Sequence, residues 1–173
     1  MADTMFNLPG EGFGYGALAL RLGAALLMGA LLGIDRQLKA KPMGWRTYML
    51  VSVGSAAYTI LVFQVLAVSI EESDRVMLDP SRLVEGLIGG IGFLGAGAII
   101  GERRDRAGNI LGGATGASIW VCGAIGVACG LGEYLVGFAI TFASLLVLGL
   151  TEILERMLGW REGFVEERHR RKK

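Results

Sequence analysis

The amino-acid sequence predicts an all-α protein, a polytopic membrane helix bundle with about five transmembrane helices. Three observations predict this class. Five long apolar stretches hold almost no charge, basic residues alternate between the segments that separate them, and glycine supplies 28 of the 173 residues, about twice the usual share. The overall charge is close to neutral, so no global field favours nucleic acid as a partner.

The five apolar stretches are long enough to cross a bilayer, because roughly 20 residues at about 1.5 Å each span a hydrocarbon core of about 30 Å. The predicted spans lie near residues 15–34, 47–68, 83–100, 111–130 and 134–151. A soluble α/β protein with the same runs as buried strands and helices is the alternative. The near absence of charge inside all five runs favours the membrane protein.

Basic residues predict the orientation of the bundle. Fourteen of the 17 Lys and Arg residues follow the first span, follow the third span or lie in the tail, and two separate the second span from the third. Cytoplasmic segments of membrane proteins carry such an excess. We therefore expect a multi-pass protein with its N-terminus outside and its C-terminus inside. Residues 1–154 form the predicted transmembrane bundle, and residues 155–173 a cytoplasmic, amphipathic and basic tail with a short interfacial helix.

Glycine is concentrated in the third and fourth spans. The third span carries a predicted helix-packing motif composed of Gly86, Gly89, Gly90, Gly92, Gly95 and Gly97. Pairs four residues apart occur elsewhere, at Gly29/Gly33, Gly112/Gly116 and Gly126/Gly130. Such faces let helix backbones approach closely, which predicts a tightly packed bundle or a homo-oligomer. The alternative is that the glycines permit broken helices whose backbone lines an ion path.

Charged residues within or beside the spans are candidate functional groups, because a charge in hydrocarbon is costly and is usually paired. Arg21 and Glu85 both lie near the predicted outer face, where they either form an ion pair or extend separately toward the headgroups. Asp35, Arg36 and Arg46 lie at the predicted inner face. They are either ordinary cytoplasmic anchors or part of a network that fixes the state of the bundle or docks a partner.

The sequence contains no pattern typical of an enzyme. It has no HExxH motif, no phosphate-binding loop with its Lys and Ser or Thr, and no paired CxxC. His169 is the sole histidine, and Cys122 and Cys129 are seven residues apart on the fourth span, beyond disulfide reach. We therefore expect a protein without catalytic residues, cofactor or bound metal.

Several motifs resemble those of the MgtC/SapB family. They are Gly-Ile-Asp-Arg at 33–36, Gly-Trp-Arg-Thr at 44–47, Gly-Ile-Gly-Phe-Leu-Gly-Ala-Gly at 90–97, Ala-Thr-Gly-Ala-Ser-Ile-Trp at 114–120 and Ala-Ile-Gly at 124–126. The resemblance implies a bacterial inner-membrane protein with about five spans. It also implies a role in adaptation to low magnesium, with regulation of the membrane ATP synthase rather than proven magnesium transport.

The chain departs from the family pattern at four places. Asp35 replaces the usual Glu, Tyr48 follows the Arg-Thr pair where Asn or His is common, and Leu111 replaces an Arg. The chain also ends about 20 residues after the last span, which predicts the short, SapB-like form without a soluble C-terminal domain. Two functions follow as hypotheses. The first is a non-enzymatic regulator in adaptation to magnesium limitation or a related stress, which contacts membrane partners or another copy. The second is an oligomeric ion or small-solute channel or transporter with Arg21, Asp35, Arg46 and Glu85 along its pathway.

Overall fold

Five α-helices make up the protein in the computed structural model, which describes residues 14–39, 41, 43–72, 80–101 and 112–158. The helices are α1 (Tyr15–Leu38), α2 (Trp45–Glu72), α3 (Pro80–Gly101), α4 (Gly113–Leu131) and α5 (Tyr134–Met157). No strand occurs within those ranges. The predicted all-α helix bundle is confirmed.

Four of these helices are long and apolar enough to cross a membrane: Tyr15–Leu38, Trp45–Gln64, Gly113–Leu131 and Tyr134–Leu154. In α3 the apolar part, Val84–Ile100, is shorter than in the other four. Its 17 residues would extend about 25 Å, so this helix crosses a bilayer of about 30 Å only with help from its flanking residues or with local thinning. α5 continues past the predicted end of the last span to Met157, into the predicted tail at 155–173. The rest of that tail, residues 159–173, lies outside the described residues.

The fourth helix is the centre of the bundle. In α4, 61% of the spanning residues are buried, against 11% in α5, because α4 is packed by each of the other four helices. The core around it includes Leu32, Tyr48, Ile119 and Ile125, all fully buried. By contrast, α3 packs almost entirely against α4, and among the described helices most of its surface has no partner.

Glycine lets α1, α2 and α4 approach at backbone distance. A Cβ added at Gly126 would collide with the backbone carbonyl oxygen of Ser52, and one added at Gly130 would lie 2.7 Å from that of Ala56. On α1, a Cβ at Gly33 would lie 2.5 Å from the Cα of Trp45. Both pairs of small residues, 29/33 and 126/130, therefore lie in helix contacts where no side chain fits.

The predicted glycine motif of the third span lies mostly away from these contacts. Gly95 packs against α4, where an added Cβ would be 3.2 Å from the carbonyl oxygen of Gly116. Among the described residues, five of its members have no neighbouring atom within 4 Å of an added Cβ: Gly86, Gly89, Gly90, Gly92 and Gly97. A packing role for these five, in contacts between chains, stays a prediction.

A tight turn connects α4 to α5. Gly132 has φ = 88°, a left-handed conformation that favours glycine, and its N–H donates to the carbonyl oxygen of Cys129 (3.0 Å). The N–H of Glu133 donates to the carbonyl oxygen of Ala128 (2.8 Å), so the last carbonyls of α4 are satisfied as α5 turns back. We call the end of the bundle that carries Gly132 the turn end.

Candidate functional site

A chain of four charges joins α1 to α5 at the end of the bundle opposite the turn end. Arg36 donates to Oδ2 of Asp35 through Nε (3.1 Å) and Nη2 (2.8 Å). Nζ of Lys39 lies 2.8 Å from Oδ1 of Asp35 and 3.1 Å from Oε2 of Glu152. Asp35 thus uses one oxygen for each cation, and Lys39 bridges two acids. We call this end the charged end; its two positive and two negative charges cancel.

Lys39 is the residue that ties the two helices together. It follows the last residue of α1, and Nζ also lies 3.4 Å from the backbone carbonyl oxygen of Leu148 on α5. Partial burial would lower the pKa of Lys39, but hydrogen bonds to Asp35 and Glu152 outweigh it and raise the pKa above its ordinary value. The ammonium therefore stays charged at neutral pH.

Arg36 is the most buried of the predicted charges, with 3% of its surface exposed. A guanidinium at this depth requires a partner, which the neighbouring Asp35 supplies. Two glycines bring the end of α1 close to the start of α2. Gly33 packs against Trp45, and Gly44 packs against the side chain of Gln37. The sequence motifs at 33–36 and 44–47 are therefore the two sides of the α1–α2 hairpin.

Between the two ends, polar side chains form a buried seam along the contact of α2 with α4. The hydroxyl of Tyr48 donates to Oγ of Ser118 (2.5 Å), which donates to the carbonyl oxygen of Thr115 (2.9 Å). Sγ of Cys122 lies 3.1 Å from the carbonyl oxygen of Tyr48. Ser52 is fully buried in the same contact, and its hydroxyl has no hydrogen-bond partner among the described residues.

Arg21 lies at the turn end. Its Nη1 donates a 2.7 Å hydrogen bond to the carbonyl oxygen of Gly130, and an added Cβ at Gly132 would lie 3.3 Å from its Nη2. The guanidinium therefore meets the C-terminus of α4, where the helix dipole favours a cation. Glu85 is exposed on α3. Its pairing with Arg21 stays a prediction.

The five predicted charges do not converge on one site. Asp35 and Arg36 are in contact, and Arg46 is exposed at the start of α2. Arg21 and Glu85 belong to the opposite end. Across the described ranges, no group of three or more His, Cys, Asp or Glu side chains is placed to hold a metal ion.

Sequence reasoning missed two groups of functional candidates. Lys39 and Glu152 were not expected to bridge α1 and α5, although the i, i+4 spacing of Asp35 and Lys39 is a signal for one of the two pairs. The buried seam was the second group. Tyr48 follows the motif at 44–47 and Ser118 lies in the motif at 114–120, but nothing in the sequence pairs the two residues.

Comparison with known proteins identifies the family. The MgtC family model matches residues 22–157. The chain is 35% identical to protein SrpB of Synechococcus elongatus over 151 residues, which cover 85% of this chain and 81% of SrpB. It is 38% identical over 122 residues, 70% of this chain, both to protein SapB of Bacillus subtilis and to protein MgtC of Salmonella typhimurium, covering 51% and 47% of these relatives.

The chain thus spans about half the length of SapB and MgtC. No solved structure matches it. The family match covers all four helices of membrane-spanning length, in whole or in large part. The chain is therefore a membrane protein, and it belongs to the MgtC family.

Proposed function

We propose that this protein is a non-enzymatic regulator in adaptation to magnesium limitation or a related stress, acting in the bacterial plasma membrane with its N-terminus outside and its C-terminus inside. It acts by packing against other membrane proteins or against a second copy of itself. The observation that carries this proposal is the open face of α3. This face consists of Gly86, Gly89, Gly90, Gly92 and Gly97.

The open face has the properties of a helix-docking surface. Five glycines on one helix are costly in helix propensity, and none of the other four helices that the structure describes packs closely against them. Phe93 and Ile100 on the same helix are 80% and 83% exposed. In lipid, where no hydrophobic force draws helices together, close backbone approach along glycine is a main source of association. A second transmembrane helix would find that approach on α3.

The identity of the partner is also part of the proposal. The family resemblance implies the membrane ATP synthase as one candidate, and a second copy of this chain is another. The charges of Asp35, Arg36, Lys39 and Glu152 hold α1 and α5 together and cancel one another. They therefore stabilise the bundle against which α3 packs.

A complementation experiment tests the role of the open face. A strain that lacks the gene is given the wild-type chain, Gly90→Leu or Gly149→Leu, and is grown in low magnesium. No described residue lies close to an added Cβ at either glycine, so both variants should fold, but Gly149 lies on α5 outside the open face. We expect Gly90→Leu to lose complementation and Gly149→Leu to keep it. Normal growth of the deletion strain, or full activity of Gly90→Leu, would contradict the proposal.

The unpartnered hydroxyl of Ser52 favours one alternative, an ion or small-solute channel along the buried seam. A conducting path needs polar groups that are free to bind the passing ion, and Ser52 meets that requirement among the described residues. The glycine contacts argue against a wide path, since Gly126 brings the backbones of α2 and α4 together at Ser52. Purified protein in liposomes separates the two functions. A selective flux that Arg21→Gln or Glu85→Gln abolishes would support the channel, and the regulator predicts no flux.

A further inference from the structure

The side of α3 that points away from α4 carries a heptad pattern. Ile91 and Ala98 are buried on the side that faces the bundle, and the positions about half a turn round the helix from them are exposed. These exposed positions follow one another in steps of four and three residues, the spacing of a helix that packs along a single partner helix. We call them the heptad face, which consists of Arg82, Gly86, Gly89, Phe93, Ala96 and Ile100.

Two opposite charges lie at the start of the heptad face. Glu85 follows Arg82 by three residues, so the two lie about 4.5 Å apart along the helix axis on adjoining positions. Both side chains are exposed, and among the described residues neither forms an ion pair or a hydrogen bond. The apolar part of α3 begins at Val84, so Glu85 lies inside it, where an unpaired charge is costly.

We infer that the heptad face binds the same face of a second copy of this chain, and that Arg82 of each copy pairs with Glu85 of the other. The inference rests on the proposed function, because it names the partner of α3. Copies of a membrane protein share one orientation in the bilayer, so the two α3 helices are parallel. A two-fold axis along the membrane normal relates them, and the contact is closed and symmetric.

Charge complementarity favours a second copy over another occupant. The parallel pair brings two bases and two acids to one end of the contact, so that every charge meets an opposite charge on the partner. A helix of a different protein would have to supply its own acid and base at matching depths. A lipid tail would leave Glu85 unpaired in the apolar segment.

The sizes of the side chains on the heptad face place the closest approach beside these charges. Gly86 and Gly89 lie within two turns of Arg82, and an added Cβ at either would meet no described atom within 4 Å. Phe93 and Ile100, farther along, are 80% and 83% exposed. The two backbones therefore come closest at the glycines, which shortens the distance that the charged side chains must span. Toward Ile100 the two helices diverge.

Crosslinking tests the position of the contact. Ala96→Cys places a thiol on the heptad face, and Ala143→Cys places one on the exposed surface of α5 as the matched control. The native Cys122 and Cys129 are buried, so they supply little background. In liposomes treated with an oxidant, we expect Ala96→Cys to form disulfide-linked dimers at least about tenfold faster than Ala143→Cys. Equal rates at the two positions would overturn the inference.

A charge exchange tests the pairing. Förster transfer between labelled full-length chains in liposomes measures dimerisation as the protein-to-lipid ratio rises. Arg82→Glu alone and Glu85→Arg alone each bring like charges together, so each should weaken the homodimer by about tenfold or more. A mixture of the two variants restores opposite charges across the contact, and it should dimerise within about threefold of the wild-type chain. Circular dichroism checks that each variant keeps its helix content.

Three results would count against the second copy as the partner: a wild-type chain that stays monomeric at every ratio, single variants that dimerise like the wild type, or a mixture that does not recover. Complementation in low magnesium is scored separately. A monomeric wild-type chain together with an inactive Gly90→Leu would overturn the dimer and leave the regulator with a different partner. A dimer with the expected charge dependence, in a strain whose deletion grows normally, would keep the dimer and overturn the regulator.

Discussion

Nη1 of Arg21 on α1 donates to the carbonyl oxygen of Gly130 in the last turn of α4. The contact puts a cation at the negative end of the helix dipole and satisfies a carbonyl that the helix itself leaves unpaired. α1 and α4 are distant in sequence, so this hydrogen bond is a long-range link between the two helices at the turn end.

Replacing Arg21 should therefore weaken the bundle. We expect Arg21→Met to lower the free energy of unfolding by about 1–2 kcal/mol, through loss of the hydrogen bond and of the charge at the helix end. Arg21→Lys keeps the charge but not the planar donor group, so it should lose less. Thermal unfolding in detergent measures both, and equal stability of Arg21→Met and the wild-type chain would show that the contact contributes nothing.

The contact between Lys39 and Glu152 predicts coupling between the ends of α1 and α5. A double-mutant cycle with Lys39→Met and Glu152→Gln should give an interaction free energy of about 0.5–1 kcal/mol, a modest value because both side chains are partly exposed. The coupling should fall as salt is added. A cycle in which the two single effects simply add would show that the ion pair is not formed in solution.

The same pair has a defined dependence on pH. The folded pKa of Lys39 is raised, so its contribution to stability is fully present below the ordinary lysine pKa and is lost as the pH rises through the folded value. The ordinary value is about 10.4, so the contribution should be constant between about pH 6 and 9. Unfolding free energies of wild-type and Lys39→Met, measured in parallel across that range, should differ by a constant amount. A difference that changes between pH 6 and 9 would mean that another group titrates in the contact.

The glycine contacts predict which small-residue positions tolerate a methyl group. A Cβ at Gly126 would collide with the backbone carbonyl oxygen of Ser52, and backbone cannot rotate away, so Gly126→Ala should cost about 1–3 kcal/mol. Gly149 has open space, and Gly149→Ala should be neutral or stabilise by up to about 1 kcal/mol through helix propensity. Unfolding of the two variants in detergent compares them directly. Equal stability would contradict the close contact of α2 with α4.

These glycines also show how far the sequence predicts the structure. Length and apolarity identify the helices, because the bilayer imposes both. Spacing identifies which residues share a helix face, and so it picked out the pairs 29/33 and 126/130 as well as the row on α3. Spacing does not predict which of these faces packs against another helix, because that depends on the arrangement of all five helices. For the same reason the bridge from Lys39 to Glu152 required the structure.

The buried seam gives the last prediction, which also separates the two candidate functions. The hydroxyl of Ser52 is buried without a partner in the part of the chain that the structure describes, whereas Ser118 accepts the hydroxyl of Tyr48. Ser52→Ala should therefore be neutral or stabilising, because it removes an unsatisfied polar group. Ser118→Ala should cost about 1–3 kcal/mol, because it leaves the buried Tyr48 hydroxyl unpaired.

The channel and the regulator predict different effects of Ser52→Ala on function. If the seam conducts ions, Ser52→Ala should reduce the flux through liposomes while the bundle stays folded. If the protein regulates through the open face of α3, Ser52→Ala should complement the deletion strain in low magnesium like the wild-type chain, because the substitution changes nothing on that face. Unfolding in detergent, measured beside both assays, separates a direct effect at Ser52 from a loss of the bundle, since only Ser118→Ala is expected to weaken it.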